Sequence, residues 1–340
     1  MVYKINVPLV GGGTRKKEII DADNNLTVDE IRARTVSTFF KFQGSTSGYS
    51  SGGNLPSRTN VIEKFPFASD ANAADVGDLT EARGNSAGQS SSTNGYTSGG
   101  NNGPSDVNTI DKFPFSSDTN ATDVGDLTQA RLRAASQSSQ TNGYTSGGLD
   151  PPLPSSSEDV DTIDKFPFSS DANATDVGDL TQGRSYLHSG QSSDFNGYTS
   201  GGYDGTFGDI FNTIDKFPFA TDANATDVGD LTQARRSAVG QSSSTHGYTS
   251  GGASGPPTNH QNTIDKFPFS INVNVTDVGN LTDARINSSG QSSTASGYTS
   301  GGWSPPRVNI IDKFPFSSDA NATDVGDLTQ SKNSPTGQQV

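Results

Sequence analysis

The hexapeptide Ile214-Asp215-Lys216-Phe217-Pro218-Phe219 returns almost letter for letter six times along the chain. Its lysine falls at Lys64, Lys112, Lys165, Lys216, Lys266 and Lys313, at spacings of 48, 53, 51, 50 and 47 residues. Two further markers keep step. Gly-Tyr-Ser/Thr-Ser-Gly-Gly is centred on Tyr49, Tyr96, Tyr144, Tyr198, Tyr248 and Tyr298, and Asp-Val-Gly-Asp/Asn-Leu-Thr runs from Asp75 to Thr80 and recurs through Asp324 to Thr329. Self-similarity at this period restricts the fold to a propeller or a stacked array.

Only 29% of the residues are apolar, a figure that points to disorder when those residues are scattered. Here they return at fixed places in each repeat, which instead describes a series of small, equivalent cores. Within Thr232–Thr282, small residues (Ala238-Val239-Gly240-Gln241-Ser242-Ser243) precede His246-Gly247-Tyr248-Thr249-Ser250. After Gly251-Gly252 a linker leads to Thr263-Ile264-Asp265-Lys266-Phe267-Pro268-Phe269, and Thr276–Thr282 closes the unit. Four short segments separated by Gly, Asn and Ser clusters predict four antiparallel strands per repeat. No segment carries the helical apolar period that an α-array needs.

The distribution of side-chain size favours a propeller over a solenoid. Small residues suit an inner strand beside a crowded axis, and Phe267 and Phe269 suit a third strand packed between blades. The proline between them lacks a donor, so its nitrogen is expected to face an outer strand that is short or bulged. The expected fold is therefore all-β, a six-bladed β-propeller with a short N-terminal extension. Residues 1–37 form a leader, 38–332 the propeller and 333–340 a C-terminal tail. The first blade is expected to start at Ser37–Gln43, and the sixth to end at Asp327-Leu328-Thr329. In the leader, Val2–Val10 reads as a strand, Gly11–Gly13 as a break, Arg15-Lys16-Lys17 as a solvated turn, and Thr27–Glu30 as a capping box opening a helix through Arg34. The leader serves either as a lead-in strand or as a docking segment.

This order of Arg, small residues, Gly-Tyr-x-x-Gly-Gly, a bulky strand and Asp-x-Gly-Asp-Leu resembles the kelch motif of β-propellers. The tryptophan of that motif is replaced by Val76, Val124, Val177, Val228, Val278 and Val325. The wording IDKFPFSSDANATDVGDLTQAR followed by GQSSSTHGYTSGG is further similar to kelch-like repeats in structural proteins of marine bacteriophages, cyanophages among them. That resemblance covers residues 38–332. It implies a virion location, a non-enzymatic tail- or fibre-associated role in host adsorption, and contact with other virion proteins through residues 1–37. A kelch-type carbohydrate-binding lectin outside a virion is the alternative.

The chemistry legible in the residues is mostly exclusion. A net charge of −14 argues against a nucleic-acid partner, since phosphate binding needs clustered cations. The chain contains no cysteine, which removes disulfides, thiolate metal sites and cysteine nucleophiles. Met1–Val10 lacks the basic start and long apolar run of a signal peptide, and no stretch has the length of a membrane span, so no membrane insertion is expected. The three histidines, His188, His246 and His260, have no metal-ligand spacing. No catalytic residue, metal or cofactor is expected.

The recurring loop Thr221-Asp222-Ala223-Asn224-Ala225-Thr226-Asp227 offers oxygens to calcium, but lacks the glycine and the distal glutamate of a calcium loop; side-chain-capped turns explain it more simply. Arg83, Arg131, Arg184, Arg235 and Arg285 precede successive inner strands, with Lys332 near the sixth place. They form either an anion-attracting ring or, the preferred reading, ion pairs with repeated aspartates such as Asp230 or Asp215 across blade junctions. The linkers between strands two and three vary from eight to fourteen residues and carry Leu149, Leu153, Tyr203, Phe207, Phe211 and Trp303. Variable aromatic loops on a rigid scaffold are where binding is usually placed. Tyr203, Phe207, Phe211 and Trp303 are therefore the candidate binding residues for a host-surface glycan or protein, unless the rings fold back onto their own blades.

Overall fold

The computed structural model describes residues 2–9, 13–20, 43–150, 158–205, 207–255 and 259–340. The chain divides into two compact units, Met1–Phe40 and Lys41–Val340. In the first, Val2–Leu9 pairs antiparallel with Gly13–Ile20, in register from Val2↔Ile20 to Leu9↔Gly13. Arg15, Lys16 and Lys17 thus belong to a strand rather than a turn: they face Val7, Asn6 and Ile5 in the ladder. The helix expected from Thr27 to Arg34 and the strand residues 37–42 lie outside the described residues.

The second unit is a ring of six four-stranded antiparallel sheets. From axis to rim, blade 2 is Ala87–Ser90, Asn94–Ser98, Thr109–Pro114 and Thr122–Asp126. Blade 3 is Ala135–Ser138, Asn142–Asp150, Glu158–Pro167 and Thr175–Asp179, and blade 4 is Gly190–Ser192, Asn196–Ser200, Thr213–Pro218 and Thr226–Asp230. Blade 5 is Val239–Ser242, His246–Ser250, Thr263–Pro268 and Thr276–Asn280, and blade 6 is Ser289–Ser292, Ser296–Ser300, Ile310–Pro315 and Thr323–Asp327. Blade 1 departs from the sequence expectation. Its outer three strands are Ser47–Ser51, Val61–Pro66 and Ala74–Asp78, and its inner strand is Thr336–Gln339, paired from Thr336↔Ser51 to Gln339↔Gly48. Residues 333–340 are therefore no tail; they complete the first blade and close the ring.

Bulk collects between blades, not within them. Tyr49, Ile62 and Leu79 of blade 1 form one core with Phe113, Phe115 and Ala121 of blade 2. The same grouping repeats around the ring to the junction of blades 6 and 1, where Tyr298, Ile311 and Leu328 meet Phe65 with Phe67. The glycine before each tyrosine has a packing reason. The ring of the first phenylalanine lies across the glycine on the neighbouring strand, as Phe65 does over Gly48, where a Cβ would collide with it. Proline is the last residue of each third strand, and pairing with the outer strand stops before it. In blade 1 that ladder ends at Lys64↔Ala74, after a bulge between Ile62 and Glu63, so no donor is missed.

At the axis, inner strands meet backbone to backbone. A Cβ on Gly88, Gly190, Gly240, Gly290 or Gly337 would strike the neighbouring inner strand, so small residues here are a steric requirement. Six glutamines then stitch the blades. Each Nε2 donates to the tyrosine carbonyl of the next blade, from Gln89 to Tyr144 at 2.9 Å, through Gln291 to Tyr49, to Gln338 to Tyr96.

Candidate functional site

Antiparallel order places the 1–2 and 3–4 loops on one face of the ring and the 2–3 and 4–1 connections on the other. The first face is regular in its bonding, although the blade 5 loop substitutes exposed Ile271 and Val273. Each third-strand lysine reaches the 3–4 loop of the next blade: Lys64 Nζ lies 3.2 Å from Asp118 and Lys313 Nζ 3.0 Å from Asp70, while Lys216 meets Asn272. The loop asparagine accepts from a backbone N–H of the preceding blade, as Asn120 Oδ1 does from Asp78 N at 3.1 Å. The oxygens that suggested calcium are thus engaged in inter-blade caps. Among the described residues no three acidic or histidine side chains gather as metal ligands. We expect a chelator to leave the melting temperature unchanged within error; a large loss restored by added calcium would reverse the assignment.

The repeated arginines are not a surface ring. Arg83, Arg131, Arg184, Arg235 and Arg285 are fully buried, each pairing with the third-strand aspartate of the next blade at 2.8–3.1 Å: Asp111, Asp164, Asp215, Asp265 and Asp312. Asp215, not Asp230, is the partner type. Each aspartate also accepts from a threonine of the preceding blade, as Asp111 does from Thr80 N–H and Oγ1. At the junction of blades 6 and 1 both partners change together, to Lys332 and Glu63. The shorter reach of lysine is matched by the longer acid, which keeps this buried pair closed.

The second face carries the departures from six-fold regularity. Two residues beyond each buried base, the chain adopts left-handed backbone at Asn85, Arg133, Tyr186, Ser237, Asn287 and Ser334, with φ between +54° and +59°. These turns are tied into a closed circle of backbone hydrogen bonds. Arg133 N donates to Asn85 O at 2.8 Å, Leu187 N to Arg133 O at 3.0 Å, Ser237 N to Tyr186 O at 2.6 Å, Asn287 N to Ser237 O at 3.1 Å, Ser334 N to Asn287 O at 2.6 Å and Asn85 N to Ser334 O at 3.1 Å. Asparagine tolerates this conformation; arginine and tyrosine adopt it at a cost.

Those two costly residues touch. The Arg133 guanidinium lies 3.8 Å from the Tyr186 ring centroid, and Arg236 lies 5.2 Å from Tyr186 and 4.6 Å from Tyr203. The two tyrosine rings meet edge to face at 5.7 Å. The connection here is one residue longer than its five counterparts, and the extra length places His188 on the channel lining. Its Nε2 is out of contact with water and has no partner. Burial, with Arg133 adding to it, lowers the imidazole to about 4, so it is neutral at ordinary pH.

Of the four aromatics expected to bind, Tyr203 belongs to this cluster. Phe207, on the same linker, is 78% exposed, in a turn where Phe207 N–H donates to Asp204. Phe211 is half-buried, and its backbone is held to Gly202 and Arg235. Trp303 stands two blades away, half-buried beneath Arg307 at 5.3 Å. Leu149 extends the blade 3 hairpin opposite Asp159, whose carboxylate accepts from Gly205 N–H of the blade 4 linker; Leu153 lies outside the described residues. Arg133, Tyr186, His188 and Arg236 escape a reading of the linkers because they sit in the 4–1 connections. Aligning those connections column by column, where large residues and an insertion replace Asn and Ser, exposes them.

The fold and these repeats define a six-bladed β-propeller built from sequence repeats, an arrangement consistent with kelch-like repeats. No protein-family model matches the chain. Comparison with curated proteins likewise finds no match.

Proposed function

We propose that this propeller is a non-enzymatic structural protein of a bacteriophage virion, associated with the tail or its fibres, that takes part in host adsorption. The phage setting rests on the resemblance of the repeats. The observation that supports an adsorption role is uneven variation: a near-repetitive ring carries its variable-length linkers and its unpaired arginine–tyrosine cluster on one face. The chain enters the ring on the opposite face, where Thr46 N and Ser47 N donate to Val340 O at 2.7 and 3.0 Å. In this reading residues 1–37 contact other virion proteins and the variable face contacts a host-surface glycan or protein.

The test is made on particles. Phage carrying a deletion of residues 1–36 should lose the protein from purified particles while the isolated ring still folds. Replacing Phe207 and Trp303 by alanine should spare incorporation and slow adsorption. Absence of the wild-type protein from purified particles would overturn the virion reading. The stacked Arg133–Tyr186 pair favours one second reading, a kelch-type carbohydrate-binding lectin outside a virion, which a glycan-binding protein free of particles would establish.

A further inference from the structure

Arg133 and Arg236 differ in kind from the five buried arginines. Neither has a carboxylate or a hydrogen-bond acceptor for its guanidinium among the described residues; both are held only against aromatic rings. The nearest acidic group on the Arg133 side is Asp106, which is beyond ion-pair distance and is bonded by Asn101. On the Arg236 side, Asp159 and Asp204 are engaged by the backbone of Gly205 and Phe207. Two like charges over one tyrosine ring repel each other, and in a chain of net charge −14 two neighbouring guanidiniums with no carboxylate within ion-pair distance among the described residues are an unusual arrangement. An anion between them would remove the repulsion and restore charge-assisted hydrogen bonds.

Three observations shape the ligand. The rings of Tyr186 and Tyr203 stand at 88° to each other, and the ring surface that the two guanidiniums leave uncovered suits the C–H face of a sugar ring. The cations number two and are local, too few for a polyphosphate backbone. Ser185 Oγ and His188 Nε2, one residue before and two after Tyr186 in the chain, are buried without partners, polar groups that an ordered water would satisfy. Tyr186 and Arg133 hold their left-handed backbone although four of the six equivalent places use Asn or Ser, strain that is characteristic of functional sites.

We infer that Arg133, Tyr186, Tyr203 and Arg236 form a subsite for a carboxylated sugar of an acidic surface polysaccharide, which gives the ligand class of the recognition face and rests on the adsorption reading above. The carboxylate lies between the guanidiniums and the sugar ring against the uncovered tyrosine surface.

The test uses the full chain and oligogalacturonate as the probe, with a neutral malto-oligosaccharide of equal length, sodium acetate and inorganic phosphate as comparisons, read by titration calorimetry. Arg133→Asn and Arg236→Ser install residues that equivalent connections already carry, so both variants should fold. Oligogalacturonate should bind and the comparisons should not. Affinity should fall about tenfold or more in either variant, as expected for losing a charge-assisted contact, and should weaken with added salt. Lys112→Gln, on the opposite face, should bind as the parent does. Oligogalacturonate binding no better than acetate or the neutral sugar, or unchanged binding in both arginine variants, would overturn the inference. Particles carrying Arg133→Asn separate it from the adsorption role. Normal adsorption alongside lost oligogalacturonate binding keeps the subsite and removes adsorption. Lost adsorption without any oligogalacturonate binding in the parent keeps adsorption and removes the acidic sugar.

Discussion

A chain ending at Lys332 should fail to form the ring, although it loses only eight residues. Those residues supply the whole inner strand of blade 1, four ladder pairs with Ser47–Ser51. They also carry Gly337, wedged between Gly290 and Gly88, and Ser334, which makes two of the six hydrogen bonds of the backbone circle. Gln338 bonds Tyr96 O, Thr97 and Ser51 at 2.9–3.0 Å. Their removal exposes inner-strand edges on both sides of the gap and leaves several buried polar groups unpaired, each at about 1–3 kcal/mol. The sum reaches the whole net stability of an ordinary domain, about 5–15 kcal/mol. The expected result is loss of the cooperative thermal transition, with aggregation through the open edges. A synthetic peptide of residues 333–340 added in excess should restore part of the transition. A truncated chain that melts within a few degrees of the parent would show that closure lies elsewhere.

This closure also marks the limit of what the sequence discloses. The blade number is legible because Tyr, Phe and Leu serve one repeated inter-blade core, and such bulk stands out in a chain otherwise rich in Gly and Ser. The inner strands have no such signature. They are short and made of residues chosen for smallness, so Thr336-Gly337-Gln338-Gln339 shares little beyond Gly-Gln with Val239-Gly240-Gln241-Ser242. The apolar run Phe39–Phe42 makes a stronger false claim to the same place. The Gly-Gln pair was the usable signal: it occurs where an inner strand meets its neighbour and is absent from Ser37–Gln43. The site is legible only in part, for a related reason. Tyr203 and Phe207 stand out as aromatics in a variable linker. Arg133 and Tyr186 are brought together by a circle of backbone hydrogen bonds between successive blades, a contact that no local pattern encodes. Likewise the buried arginines can be paired with aspartate from sequence, but choosing Asp215 over Asp230 needs the blade junction itself.

Alkali should unfold the protein between about pH 10 and pH 12, more abruptly than an ordinary domain of its size. Burial between blades pushes Tyr49, Tyr96, Tyr144, Tyr198 and Tyr248 up to about 12, and raises Tyr298 as well, though Lys313 and Ser293 temper it there. The unfolded chain ionises its tyrosines near 10. The folded state therefore keeps protons that the unfolded state has lost, and the resulting stability is complete below pH 10 and disappears as pH rises through 12. Each tyrosine contributes at most about 3 kcal/mol on this scale; because the six are equivalent, their losses fall in the same interval. Phenolate absorbance and circular dichroism, followed together against pH, should change in one concerted step. Two tyrosines allow a sharper test. The hydroxyls of Tyr144 and Tyr198 are buried beside Ser139 and Asn142, and Ser193 and Asn196, but outside good hydrogen-bond geometry, so phenylalanine there removes a poorly satisfied group and a titrating one at once. Tyr144→Phe and Tyr198→Phe together should match or exceed the parent melting temperature at pH 7 and move the alkaline midpoint upward. Gradual ionisation with the fold intact, or a phenylalanine pair that unfolds at the parent's alkaline midpoint, would show that these rings are not what the folded ring protects.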